Sequence, residues 1–170
     1  EIVRLYPDVI CFFVGDGDGK EKQNLKDKAD RLNLSHKIIF VPAVDKKELN
    51  RFYTDADIFL FSSSTETQGL VLIEAMAAST PVVAIDAQAV RDVIEDAKNG
   101  FLAEENPTDF AQKVSRLLKD NTLRKAFSDD AKKTAEKMQT STMTSKLFKE
   151  YKRLIDTPRK KEYPTFRKIK

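Results

Sequence analysis

Short, continuous apolar runs alternate along this chain with longer segments whose apolar positions recur at helical spacing. Val9–Val14 (VICFFV), Lys37–Val41, Ile58–Phe61 (IFLF) and Pro81–Ile85 have the length and composition of strands, and Phe101-Leu102 after Asn99-Gly100 suggests a short fifth. The first run has no polar alternation, which predicts a strand buried on both faces. Between the runs, Lys20–Leu34 places Leu25, Ala29 and Leu32 on one side of a charged segment. Asp45–Asp55 reads as a helix with Asp45 as N-cap three residues before Glu48. Gln68–Ala78 is an apolar helix, and Pro107–Lys119 is amphipathic through Phe110, Val114, Leu117 and Leu118. Leu123–Met138 and Thr142–Ile155 add two more helices, and Glu1–Tyr6 reads as the end of another before Pro7-Asp8. Buried strands alternating with helices predict an α/β, Rossmann-like, doubly wound parallel sheet with extra C-terminal helices. In such sheets ligands bind beyond the carboxyl ends of the strands. That rule selects the loops Gly15–Gly19, Val41–Val44 and Ser62–Gly69.

Composition narrows the class. A chain of 170 residues, 41% hydrophobic and 34% charged, suits one globular domain with a true core. No apolar run approaches the ~20 residues that span a bilayer, and EIVRLYPDV lacks the features of a signal peptide. Cys11, the single cysteine, sits in the first apolar run and reads as a core thiol. A cytoplasmic setting fits. The net charge of +3 is uneven: residues 157–170 contain six basic residues and one acid, so the remainder is slightly acidic. That argues against nucleic acid as a partner for the globular part. The expected organisation is a domain over 1–156 and a basic arm over 157–170. The arm reads either as a solvated terminus or as an arm that packs back on another part of the protein or meets an anionic membrane surface.

Several motifs fail on inspection. GDGDGK (Gly15–Lys20) has Lys20 where a dinucleotide fingerprint needs glycine. As a P-loop it has Val14 and Glu21 where Gly and Ser/Thr are required, and as a calcium loop Glu21 and Asp27 where Gly and Glu belong. What survives is a tight strand-to-helix turn whose glycines would let backbone approach a ligand. His36 is the only histidine and has no partner that would make a zinc site or a nucleophile–base pair.

The informative stretch is Ser62–Val83, SSSTETQGLVLIEAMAASTPVV, in which Glu66 and Glu74 are separated by seven residues. A carboxylate within VLIEAMAA must reach water or meet a polar partner, since unpaired burial costs several kcal/mol. Glu66 follows a strand, and the helix that begins near Gly69 offers free N–H groups and positive potential to an anion such as a phosphate. Glu74 lies roughly 8 Å further along at ~1.5 Å per residue, the reach from a diphosphate to a ribose. Its two oxygens suit two adjacent hydroxyls. A capping acid and a snorkelling surface acid remain the plain alternative.

TETQGLVLIEAMAASTPVVA resembles the signature of retaining glycosyltransferases of the GT-B class, in which two glutamates flank seven residues. VICFFVGDG, IIFVPAV, ELNRFYTDADIFLFSSS and KNGFL resemble further blocks of that family, so the likeness covers about residues 8–120. The wording TETQGL is similar to bacterial diacylglycerol glucosyltransferases. The resemblance implies the C-terminal, donor-binding half of such an enzyme. Glu66 would be the catalytic-site acid on the donor sugar; Gln68, Gly69 and Leu70, with Thr67 and Val71 beside them, would hold sugar and diphosphate; Glu74 would bind the ribose; and Gly15 and Val44 would border the nucleotide. It implies a nucleotide-diphosphate sugar such as UDP-glucose as donor, a lipid or glycan acceptor bound by a separate N-terminal domain, and no metal or other cofactor. It also implies that the fragment alone is inactive. Ala78-Ser79 and DAQAVRD depart from the family's glycine-containing patterns. A non-catalytic α/β binding module that kept the fold is the rival reading.

Overall fold

The computed structural model describes residues 1–65 and 69–156, except the side chain of Thr140. Glu66, Thr67, Gln68 and the basic arm 157–170 lie outside the described residues. The order of elements is α1 (Ile2–Leu5), β1 (Cys11–Val14), α2 (Gly19–Arg31), β2 (Ile38–Val41), α3 (Lys46–Asp55), β3 (Phe59–Phe61), α4 (Leu70–Ala77), β4 (Val82–Ile85), α5 (Gln88–Arg91), β5 (Gly100–Ala103), α6 (Pro107–Lys119), α7 (Asn121–Met138) and α8 (Thr140–Asp156). Every strand pairing is parallel, so the α/β parallel-sheet expectation holds. The pairing is nevertheless in two pieces, β1 with β2 and β3 with β4 and β5.

The described residues divide into two units, 1–136 and 137–156. The core of the first lies where α6 and α7 cover β4 and β5. Val83, Phe101, Val114, Leu117 and Phe127 are buried together there, and the rings of Phe101 and Phe127 pack at 4.8 Å between centroids. α6 earns its place by an apolar face at helical spacing, an Asn106 cap that accepts from the Thr108 amide at 2.8 Å, and Pro107 in its first turn. The Asp45 cap of α3 is present as expected, accepting from the Glu48 amide at 2.8 Å.

The expectation for β1 is corrected. Phe12 and Phe13 are 50% and 43% exposed, so the strand is not buried on both faces. β4, by contrast, is buried at Val82, Val83 and Ala84. The difference is one of neighbours: β4 has a strand on each side, whereas β1 has one. Cys11 is only part-buried, though burial still pushes its thiol pKa up.

Asn99-Gly100 is a structural knot rather than a mere turn. The buried Asn99 side chain accepts from the Glu95 amide at 2.8 Å and donates to the Val93 carbonyl and the Thr134 hydroxyl at 3.2 and 3.1 Å. A Cβ at Gly100 would stand 3.0 Å from the Val82 carbonyl oxygen. In the second unit, α8 carries Met143, Leu147, Tyr151 and Leu154 at helical spacing, all exposed. Among the described residues no helix is long and apolar enough to cross a membrane.

Candidate functional site

The three loops selected from the sequence all follow carboxyl ends of strands. Gly15 leaves β1 at φ 138°, and its amide donates to the Val41 carbonyl at 3.0 Å. One residue on, the Asp16 carboxylate accepts from the Ala43 amide at 3.0 Å. The turn after β1 is thereby tied to the loop after β2, which contains the half-buried Val44. Asp18 then caps α2 by accepting from the Lys20 amide at 3.0 Å.

The third loop ends at Gly69, which is buried and has φ 61°. It stands at the N-cap of α4, and among the described residues no side chain caps the helix there. A side chain at this position would be strained by the left-handed backbone. Its Cβ would also lie 3.2 Å from Leu72 Cδ1 and 3.5 Å from Val93 Cγ2. Leu70 is exposed and Val71 part-buried at the start of the helix, while Leu72, Ala75 and Met76 are fully buried on its inner face. The free end of α4 is thus held at the surface by its apolar side.

Glu74 is part-buried, on the opposite side of α4 from the Leu72–Met76 pair. The polar partner its position calls for is Tyr53, whose hydroxyl donates to Oε2 at 3.5 Å. Tyr53 is 8% exposed. Burial first, then the negative charge of Glu74 and the hydrogen bond to it, push the phenol up to about 12 from its ordinary 10. The ring packs edge-on against Phe59 of β3 at 5.4 Å. Its backbone carbonyl accepts from the buried Thr80 hydroxyl at 2.5 Å. Thr80 lies just before Pro81, so the Thr-Pro of the motif clamps the end of α3 onto the turn that leaves α4. Sequence reasoning missed Tyr53, because nothing local in ELNRFYTDAD ties a tyrosine to an acid 21 residues away. Only its place on the apolar side of an amphipathic helix could have marked it as facing inward.

The turn after α4 explains a departure from the family pattern. Ser79 has φ 66°, with its amide bonded to the Met76 carbonyl and the Thr80 amide bonded to Ala75, both at 3.0 Å. This is a left-handed helix C-terminus, the place where glycine is ordinarily found.

The family model for Glycosyl transferases group 1 matches residues 1–134. The chain belongs to that family. It is 32% identical over 147 residues to the D-inositol 3-phosphate glycosyltransferase of Corynebacterium jeikeium, covering 86% of this chain and 35% of the relative. It is 36% identical over 106 residues to the alpha-monoglucosyldiacylglycerol synthase of Acholeplasma laidlawii, covering 62% of this chain and 26% of the relative. Among solved structures, Anabaena HepE in complex with UDP superposes with a TM-score of 0.79 at 22% identity, over 86% of this chain and 42% of that one. This glycosyltransferase group 1 chain therefore has the fold of a GT-B C-terminal domain and spans about a third of the length of the curated relatives it matches.

Proposed function

We propose that this chain is the donor-binding half of a retaining hexosyltransferase that uses a nucleotide-diphosphate sugar, UDP-glucose in the first instance. The observation that carries the reading is the arrangement on α4. A helix start at Gly69, with no side-chain cap among the described residues, lies at the carboxyl edge of the sheet, and Glu74, about one and a half turns further on, is held by the Tyr53 hydroxyl. A diphosphate would sit against the free N–H groups at Leu70 and Val71, where the helix dipole offsets its charge. The Glu74 carboxylate would accept from both ribose hydroxyls. Glu66, Thr67 and Gln68 would meet the sugar, with Glu66 on its hydroxyls near the reacting carbon. Gly15 and Val44 would border the base and ribose. No cofactor enters this scheme.

In the complete enzyme the acceptor hydroxyl would attack the anomeric carbon on the face from which the diphosphate leaves. The acceptor's proton passes to the departing phosphate oxygen, and the α4 terminus stabilises the charge that develops there. The UDP held by the Anabaena neighbour supports a uridine nucleotide. The name of the Acholeplasma relative supports a glycolipid product and so a lipid acceptor. Acceptor binding belongs to the part of the protein outside these residues, and the chain alone is expected to be inactive. A cytoplasmic enzyme peripheral to the membrane follows from a lipid acceptor and the basic arm.

Calorimetric titration with UDP and UDP-glucose tests the reading. Glu74→Ala should weaken UDP binding roughly tenfold to a hundredfold, the loss of about 1.5–3 kcal/mol from a charged hydrogen-bond acceptor. Equal affinity in the variant would remove Glu74 from the ribose site. A well-folded whole protein that binds neither ligand would favour the non-catalytic module.

A further inference from the structure

Tyr53 is tied to α4 at both of its ends. Its hydroxyl donates to Glu74 Oε2 at 3.5 Å. Its backbone carbonyl accepts from the Thr80 hydroxyl at 2.5 Å, and the Thr80 amide in turn donates to the carbonyl of Ala75, the residue after Glu74, at 3.0 Å. Two successive residues of α4 thus hold the two ends of one tyrosine, and the path closes through a threonine that is only 1% exposed. The ring between those ends has little room to move. It meets Phe59 nearly edge-on, at 80° and 5.4 Å, and Phe59 stacks on Phe61 at 6.3 Å. The carbonyl also accepts from the Ala56 amide at 3.3 Å, where α3 ends. The hydroxyl is therefore a fixed point from which the acid beside it takes its direction.

Glu74 needs such a point. A glutamate side chain turns about several torsions, and among the described residues Tyr53 alone hydrogen-bonds this carboxylate. A glutamate that is ordered only when a ligand arrives loses its rotamer freedom at the expense of affinity, by roughly twofold to tenfold. One already held does not. The hold also leaves the acid able to accept more, because a carboxylate has about four acceptor positions and the phenol occupies one. Its pKa, pushed up to about 12, keeps the proton on Tyr53 throughout the neutral range, so the phenol donates to Glu74 and does not repel it. We propose that Tyr53 is a positioning residue: braced by Thr80 and Phe59, it presents the Glu74 carboxylate to a pair of adjacent ligand hydroxyls, and so sets how strongly the site prefers a ribose to a deoxygenated sugar. The inference rests on the donor reading for the identity of that diol. It adds that part of the selectivity comes from α3, a helix to which the donor reading gives no ligand contact.

The test is calorimetric titration of the whole protein with UDP and with dideoxyuridine diphosphate, which keeps the base and the phosphates and lacks both ribose hydroxyls. The native protein should prefer UDP by roughly tenfold to a hundredfold, and Glu74→Ala should abolish the preference. Tyr53→Phe keeps the ring on Phe59. It should narrow the preference by roughly twofold to tenfold, through weaker UDP binding at unchanged affinity for the dideoxy ligand. That unchanged affinity also shows the variant to be folded. Equal weakening toward both ligands would overturn the inference, since Tyr53 would then only support the fold. A full preference in Tyr53→Phe beside a lost one in Glu74→Ala would overturn it too, with the donor reading left standing. No preference in the native protein would sink the donor reading itself, and the role of Tyr53 with it.

Discussion

Removing one oxygen from Tyr53 tests the link between α3 and α4. Tyr53→Phe keeps the ring against Phe59 and deletes the donor to Glu74. At 3.5 Å that bond is long, so its loss at neutral pH should cost about 0.5–1 kcal/mol, the lower end for a hydrogen bond to a charged group. The sharper signal is in alkali. The phenol is held at about 12 in the fold against 10 when free. A raised folded value contributes stability that is complete below the unfolded value and is lost as pH climbs through the folded one. Worked through for one such group, the native protein should lose about 1.4 kcal/mol between pH 8 and pH 11 that the phenylalanine variant does not. The two proteins differ in this one group, so contributions common to both cancel in the difference. Urea unfolding of the pair at pH 8 and pH 11 measures it. The variant should be the weaker at pH 8 and the equal or stronger at pH 11. Parallel losses in the two proteins would mean that neither burial nor Glu74 holds the Tyr53 phenol up, against the contact drawn between them.

Ser79→Gly should raise stability by about 0.5–1 kcal/mol, because the left-handed backbone at φ 66° costs serine more than glycine, and thermal unfolding would show it. Asn99→Ala should lower stability by about 1–3 kcal/mol in the same assay, since it strands the buried Val93 carbonyl and removes the acceptor of the Glu95 amide. Co-sedimentation with vesicles containing anionic lipid should fall when residues 157–170 are removed, and binding that is unchanged by the removal would leave the arm without a membrane role.

The alternation of apolar runs with helical segments located every strand and the main helices, because buried strands and amphipathic helices leave opposite periodic signatures. Asp45 was legible as a cap for a local reason, being three residues from the amide it serves. What failed to show were facts that need distant partners. VICFFV looks like a central strand by composition, and its exposure depends on which strands flank it. Tyr53 and the Asp16 bond to Ala43 join residues 21 and 27 positions apart. Ser79 was visible as a departure from a glycine-containing pattern, but the backbone angle that makes the departure matter is seen only in the fold. In the candidate site, Gly69 and Glu74 were legible because the helix between them is continuous.

The Asp16–Ala43 bond has a consequence for how a ligand would be received. Two loops that would otherwise fluctuate separately are fastened to each other before anything arrives. Their loss of freedom is incurred when the chain folds, so a molecule settling on this edge does not have to impose it. Asp16→Ala would transfer that ordering to the moment of binding. The ligand would then meet a slower, softer surface built from the same atoms.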